Sequence, residues 1–289
     1  MALNLGGGSM TSNFSSLYLG QAQSMLNQSL MRLSSGKRIN RPSDDPGGLA
    51  VSMKLQNSLT VTAATKQNID NAKSYTDTQD AALSSVGNIL DRMSTLVTSY
   101  GSATANTSDK ASYASEFREL QAQLNAFKGE KFNSISLFST QTVSRSVHIS
   151  SEGSSGASVS VSTLNISEAL SIGAGKNLSA QQYGSAAISI SDSSVSIGSI
   201  TSALNDVASL RAQAGATSSR LEFSSDYLST NIANLEEANS RIMDVDIAEE
   251  TTNMAKYNLQ VYAASAALAQ SNLNMGIVLD LLNFNSSRR

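Results

Sequence analysis

Residues 200–242 read ITSALNDVASLRAQAGATSSRLEFSSDYLSTNIANLEEANSRI, and within them Ile200, Val207, Ala214, Leu221, Leu228, Leu235 and Ile242 recur every seventh position without a gap. A period of 3.5 per turn sustained this long predicts helices wound left-handedly against one another. Leu204 and Ile232 fill some of the partner positions, but Ser218, Ser225 and Asn239 hold others, so the apolar seam is narrow. Working outward, Leu83, Leu90 and Val97 interleave with Val86, Met93 and Tyr100 in the same pattern. Tyr113, Phe117, Leu120, Leu124 and Phe127 follow at alternating steps of four and three. Thr107-Ser108-Asp109, after a turn near Gly101, offers N-cap candidates for that helix.

The two ends of the chain are unusually poor in charge. Met1 to Met31 contains no Asp, Glu, Lys or Arg, while Leu19, Leu26 and Leu33 keep the seven-residue interval. Near the other end Tyr257, Val261, Ala264, Leu268, Ser271, Met275, Val278 and Leu282 follow the same seam, and Tyr262, Ala266, Ala269, Leu273 and Ile277 make the opposite face apolar as well. A helix apolar on most sides needs neighbours on several sides. A thin molecule of about four helices does not supply them, so the missing neighbours are expected to be other copies of the chain, meeting at Leu19, Leu26, Leu33, Val261, Leu268, Met275 and Leu282.

Between the helical flanks, residues 139–199 are about one-third Ser. Val143 to Ile149, Val159-Ser160-Val161 and Ile188-Ser189-Ile190 alternate apolar and polar residues, which predicts half-buried strands separated by glycine turns. Lacking a helical stripe, the stretch 145–190 is expected to be dispensable for assembly.

Composition removes most chemistry. The 289 residues include no Cys, no Trp, one His and 2 Pro, with 15% charged residues and a net charge of −3. Thiolate metal sites, disulfides and Cys nucleophiles are therefore absent, and no basic field invites nucleic acid. His148 stands in a strand-like run without a second ligand nearby. Asp44-Asp45, bracketed by Pro42 and Pro46, reads as turn and cap residues at a break between helices. Gly6-Gly7-Gly8 lacks the Lys-Ser/Thr of a phosphate loop, and no Ser nucleophile has its motif. Neither enzyme activity nor a cofactor is expected. The N-terminus lacks the features of a cleaved secretory signal. Residues 257–279 are uncharged, yet Asn258, Gln260, Gln270, Asn272 and Asn274 interrupt them, which argues against a membrane span. Sequons at Asn13, Asn106, Asn165 and elsewhere are read mostly as chance in so Ser- and Asn-rich a chain.

One stretch carries a family resemblance. Leu33-Ser34-Ser35-Gly36-Lys37-Arg38-Ile39-Asn40-Arg41-Pro42-Ser43-Asp44-Asp45-Pro46-Gly47-Gly48-Leu49-Ala50-Val51 closely resembles bacterial flagellin. Ala238-Asn239-Ser240-Arg241-Ile242-Met243-Asp244-Val245-Asp246-Ile247-Ala248-Glu249-Glu250, followed by Ala267-Leu268-Ala269-Gln270-Ser271-Asn272, resembles the matching end of the same family. The glycine lead-in and the tail from Asn283 to Arg289 depart from it.

The resemblance implies a mainly α chain whose ends pair as an antiparallel coiled coil. Residues 1–40 with 250–289 would form the filament core, 41–138 with 200–249 an inner helical domain, and 139–199 a small variable, β-rich, surface-exposed domain. It implies an extracellular subunit, exported through the flagellar type III apparatus and polymerised into a helical filament for swimming. It also implies a filament cap, hook-junction proteins and a secretion chaperone as partners. Toll-like receptor 5 would meet Arg92, Leu96 and Glu116, the positions that match the family's receptor contacts. The hook–filament junction protein shares weaker versions of both ends and stands as an alternative, as does a membrane-active secreted translocator.

Overall fold

In the computed structural model residues 6–150, 156–171, 177–179 and 189–286 are described, with side chains over 13–277 of that range. Among the described residues six helices and four short strands follow in order. They are α1 (Gly6–Ser35), α2 (Pro46–Tyr100), α3 (Thr107–Phe127), β1 (Lys131–Phe132), β2 (Ile135–Ser136), β3 (Ser144–His148), β4 (Ser158–Ser162), α4 (Ile166–Ala169), α5 (Ile197–Met243) and α6 (Ile247–Ser286). The chain is mainly α, as the heptads predict, and it divides into two compact units, Met1–Asn57 with Leu235–Arg289 and Ser58–Asn234.

The unit spanning 58–234 is built on the seven-residue stripe. Ile200, Val207, Ala214, Leu221 and Leu228 are all buried, packed with Ile69, Leu83, Val86, Leu90 and Met93 of α2 and Phe117 and Leu124 of α3. The direction of pairing is read from the polar contacts. Arg211 donates to Asp80 at 2.9 and 3.2 Å, Ser218 to Asp77 at 3.0 Å and Ser225 to Asp70 at 3.0 Å. Partner numbers fall on α2 as they rise on α5, so the helices run antiparallel. The polar seam positions that narrow the stripe thus become rungs between helices. A polar residue at a seam position fixes register where apolar residues alone leave it loose.

Gly101 follows the end of α2, as expected, but the cap of α3 lies one residue before the predicted group. Asn106 accepts the Asp109 amide at 2.8 Å while Asp109 accepts the Asn106 amide at 3.4 Å, a reciprocal capping box. Asn165 caps α4 in a similar way, its Oδ1 accepting the Glu168 amide. Asn106 and Asn165, each the first residue of a sequon, are thus helix caps.

Two antiparallel ribbons occupy the middle. The turn between β1 and β2 places Asn133 and Ser134 at φ 46° and 65°, the left-handed pair that matches the twist of a two-residue hairpin. In the second ribbon Arg145 pairs with Val161 and Val147 with Val159. On β4 the predicted alternation is real, with Val159 and Val161 buried and Ser158 and Ser160 exposed. Ser189 and Ile190 form no strand, because Ile190 enters a turn that leads into α5; Ile188 lies outside the described residues.

These strands are not an appendage. Val159, Val161, Leu164, Ile166, Leu170 and Leu178 belong to the same buried cluster as the helical stripe. Gln79, buried on α2, donates through Nε2 to the carbonyls of Leu137 at 2.8 Å and Ser162 at 3.2 Å, and Tyr75 donates to the Ser136 carbonyl at 2.9 Å. Residues of the 145–190 stretch therefore help to close the core, a role that the expectation of dispensability for assembly does not include.

Candidate assembly interface

The other unit starts from a turn. Gly36, at φ 69°, ends α1 in the left-handed conformation that glycine adopts without a Cβ penalty. Asp45 accepts the Gly48 amide at 2.9 Å and so caps α2, whose first residue is Pro46. Asp44 Oδ2 accepts the amides of Asn40 and Arg41 at 3.1 and 3.0 Å, and Gln28 donates to its Oδ1 at 3.3 Å. The Arg41 amide, and then that of Asn40, hold the Asp44 carboxyl below the usual carboxylate range, against the opposing effect of desolvation. Both aspartates are turn and cap residues, as their sequence setting suggests.

This turn meets the second quoted stretch of sequence. The Arg38 amide donates to the Met243 carbonyl at 2.6 Å, Arg38 Nη2 to the Ile242 carbonyl at 3.0 Å, and the Val245 amide to the Gly36 carbonyl at 3.1 Å. Ser52 donates to Asn239 at 2.7 Å. The two stretches that carry the family resemblance are thus each other's hydrogen-bonding partners.

Beyond that joint, α1 and α6 run antiparallel. Ser29 donates to the Glu250 carbonyl at 3.3 Å and Arg32 lies 3.7 Å from the Glu250 carboxylate. Farther along, Tyr18, Gln21, Ala22 and Met25 share a groove with Lys256, Tyr257 and Gln260. Leu19, Leu26 and Leu33 of α1 and Val261, Leu268 and Met275 of α6 are all half-buried; Leu282 lies outside the residues whose side chains are described. No residue from 251 to 277 is buried.

Apolar residues left in solvent lie elsewhere on the same two helices. Phe14, Leu17 and Tyr18 are 58–66% exposed, Leu259, Tyr262 and Leu273 are 64–70% exposed, and Leu30 and Ile277 join them. Each such side chain gains about 1.5–3 kcal/mol when it is fully buried. Large exposed apolar patches are a common form of protein docking surface. Sequence reading finds the helices and their lack of charge. On α6 it also finds the exposed face, since Tyr262, Leu273 and Ile277 are the apolar residues it sets opposite the seam; on α1 it misses Phe14, Leu17 and Tyr18, because a seven-residue period marks the seam and not its back.

The residues matched to receptor contacts lie in the 58–234 unit. Arg92 and Glu116 join α2 to α3 through two bonds of 2.6 and 3.0 Å. The hydrogen bond from Arg92 holds the Glu116 carboxyl below its usual range. Leu96 is 2% exposed and belongs to the core. His148 is exposed on β3, opposite Ser158. Among the described residues no cluster of His, Cys, Asp or Glu is arranged to hold a metal, and no helix is long and apolar enough to cross a membrane.

Comparison with known proteins agrees with this geometry. Residues 9–142 match the family model described as the bacterial flagellin N-terminal helical region, and residues 197–282 match the C-terminal helical region. A flagellin of Halalkalibacterium halodurans is 32% identical over 259 residues, covering 88% of this chain and 91% of that protein. A flagellar filament 33 kDa core protein of Treponema phagedenis is 28% identical, covering 94% of this chain and 98% of that protein. A solved flagellar hook-associated protein of Vibrio parahaemolyticus shares the fold, with a TM-score of 0.56 at 15% identity over 70% of this chain and all of that one.

Proposed function

The chain belongs to the bacterial flagellin family, and from that premise we propose that it is the structural subunit of a flagellar filament. In this reading the subunit leaves the cell through the flagellar type III apparatus and polymerises outside it for swimming motility. The observation that carries the proposal is the exposed apolar surface of α1 and α6, which includes Phe14, Leu17, Tyr18, Leu259, Tyr262 and Leu273. A free chain leaves that surface in water, whereas a filament of many copies buries it. Leu19, Leu26, Leu33, Val261, Leu268 and Met275, half-buried on the same two helices, are proposed with it as contacts between copies, as is Leu282 from its place in the sequence pattern. A secretion chaperone, a filament cap and hook-junction proteins are the partners that this life cycle requires. Recognition by Toll-like receptor 5 would use the surface presented by the Arg92–Glu116 pair.

Negative-stain electron microscopy of the purified chain, after addition of precipitant salt or short seeds, tests the proposal. Long uniform filaments that return to monomer on heating are expected. Tyr262→Asp is expected to keep the monomer's helical circular dichroism and abolish filaments, because the residue is exposed in the free chain and would carry an unpaired charge into the contact. Normal filaments from that variant overturn the assembly surface. Wild-type chains that never add to seeds, yet cap a hook end, move the reading to the junction protein.

A further inference from the structure

The 58–234 unit has its own unsatisfied pair of surfaces. A cleft of about 390 Å³ opens between α2, the β1–β2 turn and the second ribbon. Tyr75, Phe132, Ile135, Val147 and Val161 form its apolar walls, with the Tyr75 and Phe132 rings edge to face and centroids 6.1 Å apart. Arg145 lines the same cleft and is exposed; among the described residues no carboxylate pairs with it. A concave apolar site with one fixed charge is the usual form of a binding pocket.

Its complement lies across the helix pair. Phe223 and Tyr227, one turn apart on α5, are 75% and 66% exposed, and exposed Asp226 stands between them. Ser218, Glu222 and Ser225 point to α2, and Leu221 and Leu228 to the core. At about 100° per residue, Phe223 and Tyr227 therefore face away from both. On α2, Asp70, Lys73 and Asp77 reach α5 while Asn71 and Tyr75 line the cleft. Because Asp70 meets Ser225, cleft and aromatic pair stand at one level on opposite sides of the α2–α5 pair.

We propose that the Phe223–Tyr227 pair of one copy seats in the Tyr75–Phe132 cleft of a neighbouring copy, with Asp226 meeting Arg145. The inference rests on the filament reading and deepens it by naming which two surfaces of the 58–234 unit meet. The charges are complementary, and both surfaces are aromatic. Since the two surfaces differ and lie on opposite sides, the contact is heterologous, and such contacts add copies one after another without closing a dimer.

The chain has no cysteine, which makes a cross-linking test clean. Full-length chains carrying Arg145→Cys are mixed with full-length chains carrying Asp226→Cys, grown on wild-type seeds, oxidised mildly and separated without reductant. A covalent dimer is expected from the mixture in filaments, and from neither chain alone. Filaments that form without this dimer, or that give as much product when Asp91→Cys replaces Asp226→Cys, overturn the contact and leave the filament reading standing. Such a result is also what a cleft filled by another surface of the copy would give. Failure of the wild-type chain to grow on seeds overturns the filament reading first and this inference with it. If the cysteine chains alone fail to grow, charge exchange decides. Asp226→Arg is expected to raise the critical concentration about tenfold, and Arg145→Asp in the same chain to restore it. No recovery in the double variant overturns the proposal.

Discussion

At Gly48 the absence of a side chain is a packing requirement. A Cβ there would collide with the Asp45 carboxylate that caps α2 and would come within 2.8 Å of Ile39 Cδ1. Gly48→Ala therefore sets the cap against the core, and we expect a loss of about 1–3 kcal/mol in the denaturant unfolding of the monomer. An unchanged midpoint would mean that Asp45 swings aside without cost. Asp70 illustrates the opposite situation, a side chain that must be charged. Its hydrogen bonds from Lys66, first, and Ser225 lower its carboxyl pKa against the opposing effect of desolvation. A lowered folded value means that the stability is complete above the unfolded pKa of about 3.9 and is lost as pH falls through the folded value. Asp44 and Glu116 act in the same direction. The thermal midpoint should stay level from pH 7 to pH 5 and drop below about pH 4. Asp70→Asn should lower the midpoint at pH 7 and converge on the wild type in acid. Asp70 is exposed and Asp44 and Glu116 are half-buried at the surface, so each single effect is small.

At the scale of elements, the sequence shows where helices are better than how they are tied. The stripe from Ile200 to Leu228 is buried as its spacing requires, since only one face of a helix repeats every seven residues. The alternation on β4 is equally legible. Gln79 is not. A glutamine gives no periodic signal, and its carbonyl partners on Leu137 and Ser162 are distant in sequence. The polar seam residues look like defects in a list of apolar positions and become rungs only when α2 is set beside α5. The cap at Asn106 was one residue outside the predicted group because Thr, Ser and Asp all rank as good caps, and the choice follows from the backbone, extended at Asn106. The surface proposed for assembly was legible as a lack of charge at both ends. Its exposed face was legible on α6, at Tyr262, Leu273 and Ile277, but not on α1, where Phe14, Leu17 and Tyr18 follow no stripe and their exposure depends on where the two helices touch.

For the molecule as a whole, the middle segment decides what can be removed. Deletion of 145–190 takes Val159, Val161, Leu164, Ile166, Leu170 and Leu178 out of the core. At about 1.5–3 kcal/mol for each buried side chain, the loss rivals the 5–15 kcal/mol net stability of a typical domain. We expect the deleted chain to lose cooperative melting of its helices and to form no filaments. Sharp melting by calorimetry together with normal filaments would show that the helical stripe is sufficient by itself. The rungs between α2 and α5 also matter to a molecule under load. A force that slides the two helices past each other loads Arg211–Asp80, Ser218–Asp77 and Ser225–Asp70 simultaneously, so they resist as a set. A force that peels one helix from the other meets them one at a time. The pair is therefore stiff against axial shear and yields to peeling, a mechanical anisotropy written into the spacing of a few serines and aspartates.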